Sequence, residues 1–424
     1  MTKISLPAGH PRSYIRLLGQ NVNYRKFWFS GVVSQFGDWF NYIALFVVLT
    51  DLTGSGQAVS WFLIAKFIPT AVFGPGCGVL VDRLNRKRIM IGCDILRGIV
   101  VIGYLSVSQP EHVWIIYLLA LTQESLWTFS HLARQASIPA LCKPEEINVA
   151  NGLGGTTWSV MLAAGAAVGG FVTSCFGWQT AICIDSLTFF VSAVFLSQVI
   201  IRPKPSSGKV QLTWKKMTGF EDLAEGLLYL KNHKNIIPLI FIKSGWGLAG
   251  GGILVMLTVF GEQVFGGDGS GGQSGILYSM RGLGAAVGPI LAWRLLGDEP
   301  KGMFRAIGLG FCVSAVSYFF FSQAPTIAVA SVCVLCAHCG GAVQWVFSTS
   351  LLHRYVNDNF RGRVFSAEMA LMTIFVSLST WCTGHALDLG TDPRFIVIVL
   401  SSLFLIPGCL WLAYIILFPV AAKK

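Results

Sequence analysis

Long apolar runs alternate along this chain with short, polar, basic connections. A helix that crosses a bilayer needs about 20 apolar residues. The pattern predicts twelve such spans, at 27–50, 57–82, 89–108, 113–133, 152–174, 178–201, 236–260, 273–296, 303–322, 326–349, 364–384 and 395–418. The runs are too long and continuous for the short alternating strands of a membrane barrel. The longest polar stretch, 202–235, separates them into two groups of six. Within it Phe220, Leu223, Leu227 and Leu230 recur at helical spacing. Glu221, Asp222 and Glu225 lie early and Lys231 late, as a helix dipole favours. This predicts an amphipathic helix near 217–231, either along the cytoplasmic membrane face or clear of the bilayer. The expected organisation is a cytoplasmic segment 1–26, a six-helix bundle 27–201, a linker 202–235, a second bundle 236–418 and a cytoplasmic tail 419–424. The fold class is all-α polytopic membrane protein, with two bundles of six helices.

Composition agrees. Of 424 residues, 54% are hydrophobic and only 12% charged, about half the usual share of roughly 25% in soluble domains. Such a chain cannot coat a soluble globule, so a conventional soluble enzyme, a disordered chain, a collagen and a disulfide scaffold are excluded. The net charge of +11 does not indicate nucleic acid, because the basic residues sit between apolar runs rather than on one surface. With both termini cytoplasmic, every Lys and Arg falls on the cytoplasmic side except Lys66, Arg97, Lys243 and Arg281 within spans and Arg394 outside. That asymmetry sets the expected orientation. The first 26 residues are polar and basic, without the short apolar core of a cleavable signal peptide. The eleven cysteines lie mostly within apolar runs and read as small packing residues.

The connection after the second span reads Gly78-Val-Leu-Val-Asp82-Arg83-Leu-Asn85-Arg86-Lys87-Arg88. It resembles the cytoplasmic signature of the major facilitator superfamily, Gly-x-Leu-Ala-Asp-Arg-x-Gly-Arg-Lys. Asn85 stands in place of Gly and is expected to keep a left-handed turn. Other stretches resemble the drug and siderophore exporters of that superfamily, typified by macrolide efflux pumps and the enterobactin exporter. They are Ser34-Gln35-Phe36-Gly37-Asp38-Trp39, Asp94-Ile-Leu-Arg97-Gly98, Ala133-Arg134-Gln135-Ala136-Ser137-Ile138-Pro139, Ala150-Asn151-Gly152-Leu153 and Arg361-Gly362-Arg363-Val364-Phe365-Ser366. Gly165-Ala166-Ala167-Val168-Gly169-Gly170 is similar to the antiporter pattern Gly-Pro-x-x-Gly-Gly, with Ala166 for Pro. Gly284-Ala-Ala-Val-Gly288-Pro289 lies in the eighth span. The resemblance implies a multi-pass transporter of the plasma (inner) membrane, acting as a monomer. It also implies a cytoplasmic gate built from Gly78, Asp82, Arg83, Arg86, Lys87, Arg361 and Arg363, with Asp94 and Arg97 joining it as a local i, i+3 pair.

A charge at mid-bilayer is expensive, so it normally faces a cavity and a partner. Asp38, Lys66, Glu124, Lys243 and Arg281 fall at mid-span, with Asp185 nearer the outside. Gln35, Asp38 and Tyr42 share one helix face, as do Glu124, Thr128 and His131. A carboxyl group in an apolar cavity can take up and release a proton as access alternates. Asp38 and Glu124 are the first candidates for that role, then Asp185, which the family often carries. The alternative is a structural pairing of Asp38 or Glu124 with Lys66. Lys66, Lys243 and Arg281 could hold an anionic group, or could be structural ion pairs. Gln35, Trp127, Trp246 and Trp345 could line a site for a lipophilic molecule. Cys333, Cys336 and Cys339 have metal-like spacing, yet thiolates are unfavourable in a membrane, so packing is expected. No Gly-x-x-x-x-Gly-Lys-Ser/Thr loop occurs, and no cofactor or enzymatic activity is expected. The expected partners are a small-molecule substrate, protons and lipid. The first functional expectation is a secondary transporter that exports a lipophilic or amphiphilic compound in exchange for protons. The alternatives are a facilitator or symporter of an anionic metabolite, siderophore or lipid, and a receptor or assembly factor that kept the fold without transport.

Overall fold

A computed structural model of the chain describes residues 11–201, 236–266, 270–297, 299–357 and 360–417, with 228, 231 and 233. The tail and, apart from 228 and 231, the predicted linker helix lie outside these residues. So do the side chains of Gly78, Asp82 and Arg83, although their backbone is helical.

Among the described residues, twelve long helices correspond to the twelve spans, preceded by a short one. They are α1 Pro11–Gln20, α2 Val22–Thr53, α3 Gly56–Arg83, α4 Arg86–Gly103, α5 Val113–Leu141, α6 Ile147–Phe176 and α7 Trp178–Ser197, then α8 Ile237–Val259, α9 Gly272–Leu296, α10 Pro300–Ser322, α11 Ile327–Tyr355, α12 Arg361–Asp388 and α13 Pro393–Leu417. Eleven of the long ones are apolar enough to cross a bilayer. The exception is α5, whose Gln123, Glu124, His131 and Arg134 dilute its apolar run. α1 was not expected in the polar N-terminal segment. It buries Leu17 against the cluster around Tyr24 and Ala150 while Ile15 stays exposed. Asn21 then starts α2, its Oδ1 accepting from the Tyr24 amide at 2.9 Å.

Asn85 corrects an expectation. It is not left-handed; its φ of −69° and ψ of 105° are extended, and its Oδ1 accepts from the Arg88 amide at 3.2 Å. The side chain caps α4, which a Gly at this place could not do.

The halves pack by one plan. In the first, α2 packs on α6 and α7, α3 on α5, and α4 on α5 and α7. In the second, α8 packs on α12 and α13, α9 on α11, and α10 on α11 and α13. Between the halves, α6 meets α9 and α3 meets α12, again as equivalents. These cross-half contacts concentrate at the end carrying the Gly54, Gly177 and Gly390 turns. There Ser55 Oγ donates to Asp388 Oδ2 at 2.6 Å, and the Gln57 amide to Asp388 Oδ1 at 3.3 Å. Ser60 Oγ donates to the Thr380 carbonyl at 2.9 Å, and Ser174 Oγ to Ser270 Oγ at 3.0 Å. α6 and α9 touch backbone to backbone: a Cβ on Gly170 would lie 2.8 Å from Gly275 Cα. In the same motif, Gly169 seats α6 on the Phe40 backbone of α2.

Candidate functional site

Four helices of the first half bring ionisable side chains together at mid-depth. Asp38 on α2 faces Arg97 on α4, whose Nη2 donates to Asp38 Oδ1 at 2.6 Å. Arg97 is buried and its guanidinium lies 4.2 Å from the centre of the Phe189 ring on α7. Asp38 keeps 22% of its side-chain surface accessible. Gln123 on α5 ties the cluster together. It donates towards Asp38 Oδ1 at 3.5 Å and accepts from Asn41 at 3.2 Å and from the Tyr104 hydroxyl at 2.9 Å. Lys66 on α3 and Glu124 on α5 form a second pair at 3.6 Å, 16% and 15% accessible. Lys66 also lies over the Tyr42 and Phe62 rings.

Asp94 is buried and accepts from Ser192 Oγ of α7 at 2.6 Å. Asp185, fully buried on α7, makes no ion pair among the described residues, and its Oδ2 has no hydrogen-bond partner. Gly37 permits this arrangement: a Cβ there would stand 2.6 Å from Asp185 Oδ1. Arg134 is half-buried in α5 and donates to the Phe27 carbonyl at 2.9 Å and to Ser30 Oγ at 3.1 Å. Four carboxyl groups, Asp38, Asp94, Glu124 and Asp185, thus sit among three cations, Lys66, Arg97 and Arg134. Such a cluster can hold a proton without leaving a charge unmatched.

Two expectations change here. Asp94 and Arg97 do not form the expected local pair; each reaches across to another helix, Arg97 to Asp38 and Asp94 to Ser192. Asp38 is balanced by Arg97 rather than by Lys66, which takes Glu124 instead. The fixed rise of α4 makes Asp94 and Arg97 neighbours in sequence, but α2 and α7 offer each a better-aligned partner.

The second half differs. Lys243 on α8 and Glu368 on α12 pair at 2.7 Å and are only 4% and 0% accessible. Trp345 and Phe365 close over the ammonium, 4.8 and 5.7 Å away. Lys243 is therefore shut away from any ligand. Glu368 was not among the sequence candidates, although an acid inside the 364–384 run carries the same signal as Asp38. Arg281 on α9 donates through Nε to His338 Nε2 at 3.2 Å, and His338 Nδ1 meets the Tyr318 hydroxyl at 3.0 Å. In sequence His338 stands out only beside the Cys333, Cys336 and Cys339 spacing, and its contact with Arg281 was not foreseen. Trp246 packs between Gly250 and Gly341, and Trp127 stacks on His131 at 4.5 Å. Gln35 is partly exposed, with no hydrogen bond among the described residues.

At the end opposite the Ser55–Asp388 contact, Arg86 donates to the Ala136 carbonyl at 2.8 Å and Lys87 to the Ser197 carbonyl at 2.6 Å. Arg361 donates to the His353 carbonyl and Arg363 stacks on Phe360. Each of these contacts stays within its own half. Cys339 packs beneath Gly284 and Gly288, while Cys336 is exposed.

Comparison with known proteins agrees with this architecture. The family model described as Major Facilitator Superfamily matches residues 27–380. The putative bacilysin exporter of Bacillus subtilis is 25% identical over 377 residues, covering 89% of this chain and 92% of the relative. Macrolide efflux protein A of Streptococcus pyogenes is 23% identical over 359 residues, covering 83% and 86%. Among solved structures, the nucleoside transporter NupG superposes with a TM-score of 0.71 at 13% identity, covering 93% of this chain and 99% of that one. A bacterial homologue of the lysosomal transporter Spinster, inward-facing and unoccupied, also gives 0.71 at 13%, covering 93% and 97%.

Proposed function

The chain belongs to the Major Facilitator Superfamily, and from that premise we propose that it exports a lipophilic or amphiphilic small molecule in exchange for protons, by alternating access across the plasma membrane. Both termini are cytoplasmic in this reading, so the Ser55–Asp388 end is the exterior and the described state is closed outside. The protein works as a monomer.

The observation that carries the proposal is the accessible carboxylate pair site at mid-depth: Asp38 on Arg97 and Glu124 on Lys66. A carboxylate released from a cation needs a proton to remain in the membrane. Protonating Asp38 frees Arg97, and protonating Glu124 frees Lys66, so uptake of a proton loosens the contacts among α2, α3, α4 and α5. A change of affinity for one ligand on binding the other is what couples two fluxes. The surplus carboxyl, Asp185 behind Gly37, gives the proton a second place within the cluster. The cytoplasmic gate is the signature connection, with Asp82, Arg83, Arg86 and Lys87 facing Arg361 and Arg363 when the inside closes. Export is favoured over uptake because the relatives that span most of the chain are exporters.

The test is transport in proteoliposomes with an imposed pH gradient and a macrolide as probe. Asp38→Asn, which mimics the protonated form, should abolish gradient-driven flux while exchange of macrolide for macrolide persists. Full gradient-driven flux in Asp38→Asn and also in Glu124→Gln would overturn the coupling.

A further inference from the structure

The two halves repeat the same helix pairing, so each membrane cation can be compared with its counterpart. Lys66 is the eleventh residue of α3 and Glu124 the twelfth of α5, two helices that pack together. Their counterparts are α9 and α11, which pack together in the second half. Arg281 is the tenth residue of α9 and His338 the twelfth of α11. The same position therefore holds a cation and an acid in one half, and a cation and an imidazole in the other.

That imidazole cannot neutralise Arg281. Its Nε2 accepts from Arg281 Nε, so it carries no proton there, and its Nδ1 faces the Tyr318 hydroxyl at 3.0 Å and the Val334 carbonyl at 3.3 Å. His338 is thus a neutral clamp that orients the guanidinium. Arg281 has no ion pair and its two terminal nitrogens have no hydrogen bond among the described residues. Neither nitrogen is sealed from its surroundings, since the side chain is only partly buried. The other membrane cations are occupied: Lys66 by Glu124, Arg97 by Asp38, Lys243 by Glu368, and Arg134 by the Phe27 carbonyl and the Ser30 hydroxyl.

Arg281 also faces the first half. Its guanidinium lies 5.7 Å from the centre of the Tyr278 ring, that ring is 5.6 Å from Tyr42, and Lys66 lies 5.4 Å from the Tyr42 ring. Trp39 extends the aromatic wall, 5.2 Å from Tyr42. A cation held in the membrane without a counter-charge is costly, and a guanidinium offers parallel donors matched to a carboxylate. With Nε taken by His338, the remaining approach is end-on, through Nη1 and Nη2.

We propose that Arg281 is the substrate carboxylate site, and that the exported molecule is an aromatic or apolar amphiphile bearing one carboxylate. This rests on the export reading above and adds the chemical class. The carboxylate completes the ion pair that Glu124 completes in the other half, the half-buried Trp39 ring, backed by the buried Tyr42 and Tyr278, takes the apolar body, and the Asp38 and Glu124 side disfavours a second negative charge.

The test uses dansyl-phenylalanine and its neutral amide, which differ only at the carboxylate. Binding is read by dansyl fluorescence on the purified full-length protein, and flux by the pH-gradient assay in proteoliposomes. The carboxylate probe should bind at least tenfold tighter than the amide. In Arg281→Gln that ratio should fall to about one, and Arg281→Lys, which keeps the charge but not the fork, should give an intermediate ratio. A thermal melt of each variant excludes misfolding, and His338→Ala gives an independent reading, since loss of the clamp should also reduce the ratio. Equal affinity for both probes in the unaltered protein, or a ratio unchanged in Arg281→Gln, would overturn the assignment. If the amide is driven across as fast as the carboxylate, export stands and the Arg281 assignment fails; if neither these probes nor the macrolide is driven by the gradient, it is the export reading that fails.

Discussion

The tight backbone contact of α6 with α9 makes a sharp prediction. In Gly170→Ala the added Cβ would stand 2.8 Å from Gly275 Cα and 3.0 Å from the Gly271 carbonyl oxygen. Carbon atoms pack at about 3.5–4.0 Å, so the helices must separate by roughly an ångström, and backbone atoms cannot rotate aside. Overpacking of this kind costs about 1–3 kcal/mol. The better helix propensity of Ala, worth about 1 kcal/mol, applies to every state of α6 and cancels. The clash crosses the halves, so it burdens only the arrangement closed at this end. At about 1.4 kcal/mol per tenfold, the balance between closed and open should move by about 5- to 150-fold towards open. Ser174 and Ser270 report that balance, because their hydroxyls are 3.0 Å apart when the end is closed. Ser174→Cys with Ser270→Cys, in a background without the exposed Cys175 and the other native cysteines, should cross-link readily under mild oxidation. Adding Gly170→Ala should slow cross-linking by at least fivefold, with the protein still folded. Unchanged cross-linking kinetics would refute the claim that this contact is what closes the end.

Asp388→Ala removes the carboxylate that accepts from Ser55 and Gln57 across the halves. These bonds are exposed, so the loss should be about 1–2 kcal/mol, read as increased labelling of a thiol introduced at Ser60→Cys; unaltered labelling would show that the bonds do not hold the end shut. The buried pair in the second half predicts a different pattern. Lys243→Met should destabilise the protein by about 3–5 kcal/mol by stranding Glu368, and Lys243→Met with Glu368→Leu should recover most of it. Thermal unfolding in detergent checks this, and a double variant no more stable than the single one would count against the pairing as a structural lock.

Much of this architecture is readable along the chain because the bilayer imposes it. Its thickness sets the length of an apolar run, so the twelve spans match α2–α13, with ends displaced where helices such as α5 and α11 run on past the apolar window. The cost of charge in lipid likewise marks Asp38, Lys66, Glu124, Lys243 and Arg281 before any fold is known. It does not tell which helix lies opposite. Periodicity assigns a residue a face and a depth on its own helix, but a partner depends on how α2, α4 and α7 are arranged around one another. That is why Arg97 could be placed beside Asp94 in sequence and yet joins Asp38, and why Glu368 emerged only with Lys243 against it. The free state of Arg281 is decided at the same level. Its sequence neighbourhood is as apolar as that of Lys66, and only the packing of α9 on α11 sets it against a neutral imidazole rather than a carboxylate.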